Sequence, residues 1–117
     1  MHELGICDAM LKMLRNIAAE EQINSADIES ITVEVGTLSG VVPRFMTDCW
    51  EAVIDGTEFA HTVMNVEAVD GQAQCLDCGE KFVADLDKLI CPACGGNKLT
   101  PISGTDLTLK DVFVTSF

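Results

Sequence analysis

One pattern limits what this chain can fold into more than any other: Cys75 and Cys78, then twelve residues, then Cys91 and Cys94, each pair separated by two residues. A two-residue gap lets one tight turn aim both sulfurs at a single ion. Four thiolates then satisfy the tetrahedral preference of zinc at about 2.3 Å. Gly79 and Gly95 follow the pairs, where a residue without a Cβ lets the chain turn while its amides approach the sulfurs. All four positions are cysteine, so the shell is closed. The spacing predicts a structural zinc site on Cys75, Cys78, Cys91 and Cys94 with no position left open for catalysis. A redox dithiol would instead show one such pair beside a helix in a βαβ setting.

The glycine-rich tract around these cysteines, residues 70–105, is too short to bury much apolar area and needs a metal to fold. It reads as a ribbon looped out between two strands of one sheet, with residues 80–90 as a short hairpin. Upstream, residues 4–22 have helical periodicity, with Leu4, Cys7, Met10, Leu11, Leu14, Ile17 and Ala18 on one stripe. Residues 28–36 alternate as a strand, Ile31, Val33 and Val35 on one face and Thr32 and Glu34 on the other. Pro43 suits the first turn of a helix over about 43–55 that offers Met46, Cys49, Trp50 and Val53 to the core, with Gly56 as its stop. Residues 61–69 alternate again. The last stretch, 106–117, reads as a strand with a bulge near Lys110–Asp111. The expected fold is α+β: two helices on a three-stranded mixed sheet, with an inserted four-cysteine zinc-ribbon module. The expected division is 1–69 completed by 106–117, and 70–105 for the ribbon.

The net charge of −12 opposes binding to phosphate backbones or anionic membranes, so neither nucleic acid nor membrane is an expected partner. The ribbon itself sets Lys81, Lys88 and Lys98 against Asp70, Asp77, Glu80, Asp85 and Asp87. No apolar run approaches the roughly 20 residues that span a bilayer. Glu3, Asp8 and Lys12 interrupt any signal-peptide core, which points to the cytoplasm, where thiols stay reduced. There is no phosphate-cradling loop and no nucleophile elbow, and the chain has two histidines. No catalytic residue and no organic cofactor are expected, and the chain does not read as an enzyme. Cys7 and Cys49 fall on helix stripes and read as small core residues, with a ligand role as the alternative. His61 reads as a surface histidine opening a strand.

The other histidine is residue 2. The Met1 amine, the His2 amide nitrogen and the His2 imidazole can close adjacent chelate rings. Amide nitrogens are strong-field donors that suit Ni(II) or Cu(II) in tetragonal geometry, and Glu3 could add an amide or a carboxylate. The plain alternative is a frayed terminus before the first helix.

The whole chain resembles the HypA/HybF family of nickel metallochaperones for [NiFe]-hydrogenase maturation. The residues that carry the resemblance are MHE at 1–3, VEVGTLSGVVP at 33–43, GTEFAHTVMNVEAV at 56–69, the four ribbon cysteines and the terminal strand. The resemblance implies Ni(II), as transported metal, held through His2 with backbone nitrogens of Met1, His2 and Glu3, beside a structural Zn(II). It implies delivery to the hydrogenase large subunit with a nickel-maturation GTPase as partner, and in some bacteria support of urease. The competing class is a zinc-ribbon protein-docking module in transcription or translation.

Overall fold

The structure is a computed structural model that describes residues 2–115, with side chains from Leu4 onward. The elements are α1 (His2–Glu20), a 3-10 turn (Ser25–Asp27), β1 (Ile28–Gly36), α2 (Pro43–Ile54), β2 (Val63–Val69), β3 (Gln72–Cys75), β4 (Lys81–Val83), β5 (Leu99–Pro101) and β6 (Leu107–Val114). Met1, Ser116 and Phe117, which the sequence reading placed in the chelate and the last strand, lie outside the described residues.

The apolar stripe of α1 buries Cys7, Met10, Leu11, Leu14 and Ala18, as the i, i+3, i+4 spacing requires. The helix starts and stops two residues earlier than its periodicity predicted. Gln22 takes a left-handed φ of 56°, and the Ile23 N–H turns back to the Ala18 carbonyl at 2.8 Å, which closes the helix. Leu4 is exposed, off the stripe. Pro43 opens α2, whose buried face is Met46, Trp50 and Ile54, and Gly56 at φ 74° leads the chain away. Fully buried Leu14, Trp50 and Phe59 anchor the core between helices and sheet, each contributing roughly 1.5–3 kcal/mol or more of apolar burial.

The main sheet has the order β2-β1-β6, with β1 parallel to β2 and antiparallel to β6. Ile31 lies between Met64 and Val112, Val33 between Val66 and Leu109, and Val35 between Ala68 and Leu107. These rows face the helices. On the opposite face Thr32 is only 5% exposed, because β1 is the middle strand and Asn65 and Asp111 flank it. The bulge falls where the residue pattern placed it: Thr32 pairs with Asp111 and Val33 with Leu109, which leaves Lys110 extra. That insertion keeps Leu107, Leu109 and Val112 on one face despite odd spacing. The strand expected from residue 61 begins at Val63 instead, because the buried Thr62 turns its hydroxyl onto the Ile28 carbonyl at 2.9 Å.

The second sheet, β4-β3-β5, is antiparallel. No hairpin forms within 80–90. The first cysteine turn itself joins β3 to β4, pairing Gln72 with Val83 and Gln74 with Lys81, and the loop beyond turns on Asp85, whose carboxylate accepts the Asp87 N–H at 2.9 Å. The two sheets meet where Gly36, Gly71 and Gly104 touch backbone to backbone. A Cβ on Gly36 would collide with the Gly104 carbonyl, and one on Gly104 with the Gly71 Cα. Around this joint the Leu38 N–H donates to the Gly104 carbonyl at 2.9 Å, and the Gly71 N–H to the Thr37 hydroxyl at 2.8 Å. Among the described residues, no helix is long and apolar enough to cross a membrane.

Candidate metal centre

The four ribbon sulfurs converge from two copies of one turn. In the first, the Gly79 N–H donates to the Cys75 carbonyl at 2.9 Å and the Cys75 N–H to the Glu80 carbonyl at 2.9 Å. In the second, Gly95 and Cys91 repeat the pattern with Gly96, at 2.9 and 2.8 Å. Gly79 and Gly95 hold φ of 81° and 75°, a conformation that a Cβ would strain. The amides that reach sulfur belong to other residues, among them Ala93 N–H to Cys91 Sγ and Gly96 N–H to Cys94 Sγ, each at 3.4 Å. Nothing in the one-dimensional spacing distinguishes those two donors.

All four sulfurs lie within 4.8 Å of one another. Cys75 Sγ and Cys94 Sγ are 3.6 Å apart, as are Cys78 Sγ and Cys91 Sγ. A regular tetrahedron with metal–sulfur bonds of about 2.3 Å has edges of about 3.8 Å, so the quartet fits zinc. Cys75 and Cys91 are buried, and Cys78 and Cys94 face solvent. Their acidities diverge. The Glu80 amide favours the Cys78 thiolate, but hydrogen bonding with Cys91 and burial outweigh it and push the thiol up to about 12. Burial opposes charge on Cys91, yet the Cys94 and Ala93 amides and the Cys78 thiol bring it down to about 7. Crowded thiols divide protons in this way, and a dication at their centre would favour the thiolate at every position.

Among the described residues this quartet is the one group of three or more His, Cys, Asp or Glu whose ligand atoms could share an ion. Cys7 is buried, and its Sγ donates to the Met46 carbonyl at 3.4 Å, while Cys49 packs half-buried against the core. Both sit as small core residues. His61 is exposed in the turn before β2. The nickel residues read from sequence sit at the other extreme of the chain. Met1 and the side chains of His2 and Glu3 are outside what is described, but the backbone of His2 and Glu3 forms the first turn of α1. Amides in a first helical turn have no intrahelical acceptor.

A two-layer α/β unit joined to a closed four-sulfur ribbon defines a small metalloprotein with a structural zinc-type site. A family profile described as hydrogenase/urease nickel incorporation, metallochaperone, hypA matches residues 1–114. The hydrogenase maturation factor HypA of Rhodopseudomonas palustris strain BisB5 is 31% identical over 114 residues, covering 97% of this chain and 99% of that one. That of Cupriavidus necator is 32% identical, covering 97% and 94%. The solution structure of the Ni metallochaperone HypA from Helicobacter pylori matches with a TM-score of 0.64 at 15% identity, covering 98% of both chains, which speaks for the fold. The chain belongs to the HypA family of nickel metallochaperones for hydrogenase maturation.

Proposed function

We propose that this chain carries Ni(II) at its N-terminus, held by the Met1 amine, the His2 amide and imidazole, and a donor from Glu3. The observation that supports this is the start of α1 at His2. Amide nitrogens of a first helical turn can serve a metal without breaking a helical hydrogen bond. A strong-field nitrogen set suits square-planar nickel and rejects tetrahedral zinc, whereas the sulfur quartet of Cys75, Cys78, Cys91 and Cys94 holds zinc as structure. A site that must release its ion benefits from being terminal and shallow.

In this reading residues 1–69 with 106–117 form the nickel domain and 70–105 the zinc domain. The chain passes nickel to the hydrogenase large subunit, with a nickel-maturation GTPase as partner, and urease is a second client where one is present. It acts in the cytoplasm and catalyses no reaction; nucleic acid and membranes are not its partners. The family match sets aside a transcription or translation ribbon.

The test is a nickel titration of untagged protein with its native start. His2→Ala, acetylation of the amine, or one residue added before Met1 should each abolish stoichiometric binding while zinc content stays unchanged. Nickel retained by the extended His2→Ala protein would end the proposal.

A further inference from the structure

The two edges of the main sheet differ. Along β6 the register shifts twice, and Lys110 stands in one shift with its ammonium 3.1 Å from Glu67. Bulges and lysines at an edge hinder addition of another strand. Along β2, Val63 to Val69 run in unbroken register with Ser30 to Gly36, and VMNVEAV contains no lysine, proline or glycine. Among the described residues no strand pairs with the far side of β2. Peptide groups along such an edge are free to pair with an incoming strand.

A cavity of about 290 Å³ opens beside the start of β2, between α2 and the preceding turn. Buried Trp50, Ile54 and Met64 form its floor, and exposed Glu51, Asp55 and His61 its rim. It is preformed, because the Trp50 indole N–H donates to the Thr62 carbonyl at 3.0 Å. Met64 pairs with buried Ile31 and so faces the helices. A strand added outside β2 places alternate side chains on that same face, and the one beside Met64 would enter the cavity. An apolar floor with carboxylates at its mouth suits a long aliphatic stem ending in a cation.

We infer that the outer edge of β2 docks an extended, lysine- or arginine-bearing segment of a partner protein. The segment adds to the sheet as a fourth strand and seats its basic side chain in the Trp50–Glu51–Asp55 cavity. Charge selects this occupant: the chain carries −12 overall, and exposed Glu51 and Asp55 stand at the mouth of the cavity. A second copy of this chain would bring like charges together across the new pairing. The site shares no residue with the cysteine quartet or the N-terminus.

The probe is an acetylated, amidated peptide, Thr-Val-Lys-Val-Thr-Val, added to the full-length zinc-loaded protein. Binding is read by emission of Trp50, the sole tryptophan, and by backbone amide shifts. Saturable binding is expected, with shifts confined to residues 50–55 and 60–69. Replacing the peptide lysine by glutamate, or Glu51 and Asp55 by lysine in the protein, should weaken it by about tenfold or more. Methylating alternate peptide amides should abolish it, and His2→Ala should leave it unchanged. The inference is overturned if the lysine and glutamate peptides bind alike, if neither saturates, or if the shifts map to the ribbon. Concentration-dependent shifts of the same amides without peptide would place a second copy of the chain there and overturn it equally.

Discussion

Arg15 grips Glu58 with both ends of its guanidinium: Nε to Oε2 and Nη2 to Oε1, each at 2.8 Å. The pair ties the middle of α1 to the turn between α2 and β2, across 43 residues of sequence. The Arg15 hydrogen bonds hold the Glu58 carboxyl down to about 2 from its ordinary 4.5. A carboxyl depressed in the folded state stabilises it fully above the unfolded value, and that stabilisation is lost as pH falls through the folded value. Stability measured by urea unfolding should therefore decline as pH drops from 4.5 towards about 2, and Glu58→Gln should flatten that part of the profile. Because both side chains are 40–45% exposed, salt should reduce the difference between the two proteins. A Glu58→Gln profile that kept the full acid slope would show that other carboxylates cause it.

Gly104 combines a left-handed φ of 73° with backbone contact to Gly71. Gly104→Ala meets both strain and collision, and should cost about 2–4 kcal/mol in chemical denaturation. Gly40 has a similar φ of 80° but open space around it, so Gly40→Ala should cost only about 1 kcal/mol. Equal losses for the two would mean that close packing at the joint contributes nothing.

Removal of metal by a chelator, or Cys91→Ala, should erase the β4-β3-β5 sheet while leaving the β2-β1-β6 sheet and both helices in place. Amide exchange is the measurement: Ala73, Gln74 and Cys75 should lose protection, and Ile31 and Val33 should keep it. The buried apolar cluster belongs to α1, α2, β1, β2 and the turn that carries Phe59, and includes no ribbon residue, which is why the two parts should respond separately. Global loss of protection would contradict this separation.

Trp50→Phe keeps most of the buried area but leaves the Thr62 carbonyl without its indole donor. A loss of about 1–3 kcal/mol is expected, and Thr62→Val, which removes the hydroxyl bond to Ile28, should cost a similar amount. If the double variant lost much less than the sum, the two bonds would be shown to act as one clasp on the turn before β2.

Local chemistry was legible in the sequence, and long-range chemistry was not. β1 was read at its full extent, α2 within one residue, and the bulge at Lys110 followed from the phase change between Leu109 and Val112. The cysteine quartet was legible because its geometry is local to two turns. The burial of Thr32 does not follow from alternation, since only pairing on both sides of β1 makes it central. The late start of β2 was missed for a related reason: Thr62 turns towards Ile28, 34 residues earlier. The glycine joint was missed because Gly36, Gly71 and Gly104 occupy three separate segments, and each alone looks like an ordinary turn residue.

That joint has a consequence for modularity. The chain leaves the main sheet after Val69 and returns at Leu107; the returning crossing passes within a methyl group's width of Gly36 at Gly104, which in turn touches the outgoing one at Gly71. Any module whose ends emerge side by side, narrow enough to clear that point, could in principle be spliced in place of the ribbon without disturbing β1. A module with wider-set ends would have to prise β6 off the sheet. The three glycines set the gauge to which every replacement must be cut.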